Sequence, residues 1–156
     1  MNQRVASWLA IALVAATSIC NAQTPDGKTP RAGTFKQVEG EAWLGRADAR
    51  RPATPGVGVQ ASERISTGED GAATVTLKDG TVVTLGPNTT VNLTQFEYNS
   101  TTQEGSFLLD LLKGSVRVVT GLLSKANPES VKVKTPTSVV GVRGTDFIVQ
   151  VQPANP

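Results

Sequence analysis

Residues 73–85 read ATVTLKDGTVVTL. Val and Thr favour pleated, half-buried strands, and an Asp-Gly set among alternating apolar residues signals a hairpin. Two registers compete. A two-residue Asp79-Gly80 turn pairs Leu77 with Val82 and Val75 with Thr84, and it leaves Val83 and Leu85 on the opposite face. A three-residue loop, Lys78-Asp79-Gly80, pairs Leu77 with Thr81, Val75 with Val83 and Ala73 with Leu85. The second register gathers Ala73, Val75, Leu77, Val83 and Leu85 on one side. It also gives Gly80 the left-handed position that a type I turn with a bulge requires. Register follows the face that buries apolar surface. Each large side chain buried is worth about 1.5–3 kcal/mol, so the three-residue loop is expected.

The same texture runs outward in both directions. Gly86-Pro87-Asn88 turns the chain into a strand over 90–98. Upstream, TFKQVEGEAWL at 34–44 offers Phe35, Val38, Ala42 and Trp43 as inward residues, with Gly40 marking a bend, and 64–67 is a brief strand. Downstream, strands are expected at 107–112, 115–122, 131–135 and 139–151. The run SFLLDLLKG, 106–114, fits two helical turns or a buried strand. Gly105 and Gly114 bracket it at strand length, which favours the strand. Pro- and Gly-bearing segments at 49–58, 99–105 and 124–130 read as loops. Short strands parted by glycine turns imply an all-β domain. A β-solenoid-like roll and a two-sheet β-sandwich both fit this pattern.

Composition narrows the function. Charged residues make up 18% of the 156-residue chain and the net charge is +2, too weak a bias to imply nucleic acid or an anionic membrane surface. Aromatics are 4%, so stacking platforms for bases or sugars are poorly supplied. The first 22 residues read as a Sec-type signal peptide: Arg4 supplies the positive charge, 5–19 the apolar stretch, and Cys20-Asn21-Ala22 a cleavage site. A periplasmic or secreted protein with no membrane span after cleavage is therefore expected. Residues 23–34 read as a flexible lead, 35–151 as the β domain and 152–156 as a tail. The chain has one cysteine, Cys20, and no histidine. Beyond residue 22, disulfides, thiolate or imidazole metal sites, histidine-based triads and cysteine nucleophiles are thus excluded. No cofactor is expected.

The segment TPTSVVGVRGTDFIVQV, 135–151, sets an Arg and an Asp inside an apolar, glycine-broken stretch. One extra residue near Gly144 would bring Val140, Val142, Phe147, Val149 and Val151 onto one face, and glycine suits such a bulge. Arg143 and Asp146 flank it and are spaced for a bidentate contact across the bend. With the Thr145 hydroxyl they would satisfy backbone groups that the turn exposes. The functional alternative is that Arg143 binds an anionic ligand. Carboxylate pairs for acid–base work are Glu39/Glu41 and Glu69/Asp70, a generic spacing. Trp43 and Phe107 are expected in the core. Sequons at Asn88, Asn92 and Asn99 read as polar, Thr-rich surface.

Four segments carry a family likeness: VEGEAWL at 38–44, ISTGEDGAATVTLKDGTVVTLGPNT at 65–89, LLKGSVRV at 111–118 and TPTSVVGVRGTDFIV at 135–149. Together they resemble the FecR domain, named for a periplasmic regulator of ferric citrate uptake. The last segment supplies the structural box Thr135, Pro136, Val142, Arg143, Gly144, Thr145, Asp146 and Phe147. The resemblance implies an all-β, periplasmic, non-enzymatic module, and it favours the roll over the sandwich. In full-length members a cytoplasmic segment grips a sigma factor and a transmembrane helix precedes this domain. Here a cleavable-looking signal stands in that place, so the chain resembles a stand-alone exported FecR-domain protein. The expected function is binding or scaffolding in envelope signalling or organisation, through contact with an unknown protein partner. The competing expectations are an envelope polysaccharide hydrolase or lyase and a structural subunit of a surface assembly. An exposed strand edge is the expected binding element, because it accepts a partner through its main chain without a side-chain signature.

Overall fold

The computed structural model describes residues 30–46, 49–143 and 146–152. The expected signal peptide and most of the expected tail lie outside them. In chain order the strands are β1 (Arg31–Glu39), β2 (Ala42–Arg46), β3 (Ala49–Pro52), β4 (Gly58–Gln60), β5 (Glu63–Thr67), β6 (Ala72–Leu77), β7 (Val82–Leu85), β8 (Thr90–Tyr98) and β9 (Gly105–Val119). A one-turn helix, α1 (Leu122–Ala126), and a 3₁₀ turn at Pro128–Ser130 follow. Then come β10 (Val131–Lys134), β11 (Val139–Gly141) and β12 (Asp146–Val151). No helix among the described residues is long and apolar enough to cross a membrane.

The twelve strands among the described residues belong to one sheet, curled into an open half-barrel. Its main path runs β3-β2-β5-β8-β9-β7-β6-β1-β4, every pair antiparallel. The protein is thus all-β, and it rolls up as one continuous sheet. Among the described residues, coiling of the solenoid kind is confined to one parallel pair, β10 on β9.

The long strand β9 organises the roll. Its first part lies between β8 and β10, and its last part between β7 and β12. Phe107, Leu109 and Leu111 point inward, then Val116 and Val118 do. That change of parity falls on Leu112-Lys113-Gly114. There the register with β8 slips and Gly114 takes φ +88°. A Cβ on Gly114 would run into the Thr89 side chain and lie 2.6 Å from the Thr89 Cα. The leucine-rich run is therefore a strand, and its Lys-Gly is a bend inside one 15-residue element rather than the gap between two.

Strict alternation makes the rest. In the β6–β7 hairpin Ala73 lies opposite Leu85 and Val75 opposite Val83. The Leu77 N–H reaches the Thr81 carbonyl at 2.8 Å, and Gly80 takes φ +84°. This register buries Ala73, Val75, Leu77, Val83 and Leu85 together. Phe35, Leu44, Val59, Ile65, Val91 and Val133 join them in a single core cluster.

Several sequence expectations need correcting. Strand β1 starts at Arg31, inside the stretch read as a flexible lead, because Ala32 and Gly33 pack against β6 and β4. Residues 49–52 form an edge strand rather than a loop, since Pro52 needs no ladder bond on an outer edge. Trp43 points out while Ala42 and Leu44 point in, as alternation requires. The end of the run read as a strand over 115–122 turns into α1 at Leu122.

Candidate functional site

The 139–151 stretch is two strands on different parts of the sheet, not one bulged strand. Among the described residues β11 pairs only with β10, and β12 only with β9. The turn entering β11 is built from Thr135-Pro136-Thr137-Ser138. Thr135 N–H donates to the Ser138 carbonyl at 2.7 Å, and Ser138 N–H donates to Thr135 Oγ1 at 3.0 Å. Pro136 sits at the turn position its fixed φ suits. Beyond β11, the Val142 N–H reaches the Val131 carbonyl at 3.1 Å and the Val142 side chain is buried. This anchor starts the crossing towards β12. Gly144 and Thr145 lie outside the described residues.

The crossing leaves apolar surface in the open. Phe147, Val149 and Val151 lean against the core, while Val140, expected beside them, is 37% exposed. Val139 is 62% exposed and Ile148 70% exposed. Between the two edges is a cleft of about 420 Å³ lined by Val140, Val142, Arg143, Phe147 and Ile148, among others. Arg143 also borders a second hollow of about 400 Å³ beside Pro128 and Glu129.

The expected Arg143–Asp146 pair does not form. Asp146 instead receives Arg117 from β9, with Nε at 2.9 Å and Nη2 at 2.5 Å. The β9–β12 pairing places the two diagonally, Asp146 opposite Val119 and Ile148 opposite Arg117. The Arg117 hydrogen bond, with its charge, holds the Asp146 carboxyl below its ordinary range despite slight desolvation. It raises Arg117 in turn. Arg143 is exposed at the mouth of both hollows, where its charge faces solvent.

The Lys78-Asp79-Gly80 turn is a clamp. Asp79 is buried and accepts Thr81 N–H at 3.0 Å and the Thr81 hydroxyl at 2.6 Å. Thr81 Oγ1 accepts Gly121 N–H at 3.0 Å, and the Asp79 carbonyl accepts Leu122 N–H at 2.8 Å. The turn thereby fixes the start of α1, while Lys78 is exposed. Sequence reasoning missed three further polar clusters. Glu63, buried, takes Arg51 at 3.1 Å and the Gln60 N–H at 2.7 Å. Thr89, fully buried, receives Ser115 N–H on its hydroxyl at 3.0 Å beside the β9 bend. Asp110 lines a polar hollow with Arg46, Arg64 and Asn92, and its Oδ1 is buried without a partner among the described residues. Thr-rich sequence was the one available signal for the second cluster; the others depend on pairing between distant strands.

Glu39, Glu41, Glu69 and Asp70 are all exposed, and Glu39 is occupied by Gln37 at 2.6 Å. Among the described residues no cluster of His, Cys, Asp and Glu is suited to a metal ion.

What stands out is a sheet with a braced bend, a clamped hairpin and an open apolar end. A family model described as FecR protein matches residues 63–155, more than half the chain and everything from β5 onward. The chain belongs to the FecR family. Comparison with curated proteins and with solved structures yields no match. The matched FecR segment contains the β6–β7 hairpin, the β9 bend and both open edges, while β1 to β4 lie before it. Membership of this signalling-regulator family points to a role in cell-envelope signalling.

Proposed function

We propose that this FecR-family chain is an exported, non-enzymatic binding module of envelope signalling, and that it meets a protein partner at the cleft beside β11. The observation that carries the reading is the exposure of Val139 and Val140 on an unpaired strand edge next to an apolar cleft. Monomer surfaces seldom leave contiguous apolar ground open without a use. An unpaired edge offers main-chain donors and acceptors to an incoming strand, while the cleft receives its alternate side chains. Arg143 at the rim adds a positive charge that favours an acidic neighbour in the partner. The apolar stretch and small-x-small site at 5–22 support export, with the mature chain starting at Gln23.

A photo-crosslinking residue placed at position 140 in living cells tests the site. It is expected to trap an envelope protein, and the same residue at exposed Glu69 is expected to trap none. Equal trapping at both positions, or recovery of the chain from the cytoplasm with its first 22 residues intact, overturns the reading.

A further inference from the structure

The edges of this sheet are not equally protected. β3 carries Arg50, Arg51 and Pro52, and charge and proline are common guards of an edge. β4 is only three residues long, too short to template much pairing, and β11 is the edge already assigned to the protein partner. Among the described residues β12 is the least guarded edge. It runs six residues, DFIVQV, with no proline, glycine or lysine. Its one charge, Asp146, is already matched by Arg117 of its own chain. On its outer face Ile148 is 70% exposed. No bulge interrupts its pairing with β9, so its free side is also regular.

From this we infer that β12 is a self-association edge: it pairs antiparallel with β12 of a second copy of this chain, about a two-fold axis at Ile148. The inference rests on reading the β11–β12 end as the docking end, and it names the occupant of the β12 side. The sequence is self-complementary in that register. Ile148 meets Ile148 of the partner, Asp146 meets Gln150, and Phe147 meets Val149. No like charges are opposed. The two exposed isoleucines cover one another, and the half-buried Phe147 and Val149 extend the inner apolar face across the joint. A perpendicular two-fold requires paired positions whose numbers sum to an even value, since paired residues share a face. Of the even registers, the one centred on Ile148 joins the most exposed apolar side chain to its own copy.

Sedimentation of the purified full chain over a range of concentrations tests this. The wild type is expected to dimerise. Ile148→Lys and Ile148→Glu are each expected to sediment as folded monomers, with Arg117 opposite shifting their melting slightly in opposite directions, and their equimolar mixture to dimerise again. Two variants away from the apolar centre read the register. Gln150→Lys faces Asp146 of the partner twice per dimer and is expected to tighten Kd by about two- to thirty-fold, and Gln150→Glu to weaken it similarly. A wild type that stays monomeric at all concentrations overturns self-pairing while leaving trapping at position 140 intact. A dimer indifferent to Ile148→Lys, or one on which the two Gln150 variants act alike, overturns it as well.

Discussion

Single side chains hold this sheet at places where the backbone departs from regular pairing. The Thr89 hydroxyl is the clearest case, since it accepts the Ser115 N–H just past the β9 bend and is buried. Thr89→Val keeps the shape and removes that acceptor, so a loss of about 1–3 kcal/mol is expected in chemical denaturation. The Arg117–Asp146 pair is exposed on both sides and contributes little. Its pH dependence has a definite sign. Asp146 titrates lower in the folded chain than in the unfolded one. Its contribution is complete above the ordinary aspartate range and fades as acid passes through the lowered value. Asp146→Asn is expected to flatten that acid limb of the stability curve while leaving melting at neutral pH almost unchanged. The partner of Asp146 was not legible in the sequence. Arg143, three residues away, was the local candidate; Arg117, 29 residues away, became the neighbour because β12 lies on β9.

At the scale of elements, two glycines test how turns and bends differ. Both have positive φ, +84° at Gly80 and +88° at Gly114. Around Gly80 a new Cβ meets open space, so Gly80→Ala is expected to cost only the left-handed strain of about 1–2 kcal/mol. At Gly114 the Cβ collides with Thr89 backbone, and the loss is expected to exceed that at Gly80 by about 2 kcal/mol or more. Thermal melts of the two variants check the order. The hairpin around Gly80 could be read from the sequence because its partners are contiguous and one register buries all five apolar residues. The bend at Gly114 could not. Gly114 was legible as a breaker, but whether it ends a strand or bends one depends on β8 and β12, which are remote in sequence. The same holds for residues 49–52, whose strand exists only because β2 is beside it.

On the scale of the whole molecule, the fold class followed from short apolar runs and glycine turns, whereas strand order did not. Pairing β10 parallel to β9, and sending β11 and β12 to different stretches of the roll, leaves no local mark in the chain. The exposed apolar end follows from that order, which is why 139–151 looked like a buried, kinked strand. One more consequence attaches to β9. It is the spine of both arms of the sheet, so neither arm has a complete set of neighbours without it. Two packing lobes that share their central strand should lose structure in a single all-or-none event, with calorimetric and van't Hoff enthalpies in agreement. A chain cut at the bend would yield two fragments, each missing its backbone of support, that regain order only by reassembling with one another.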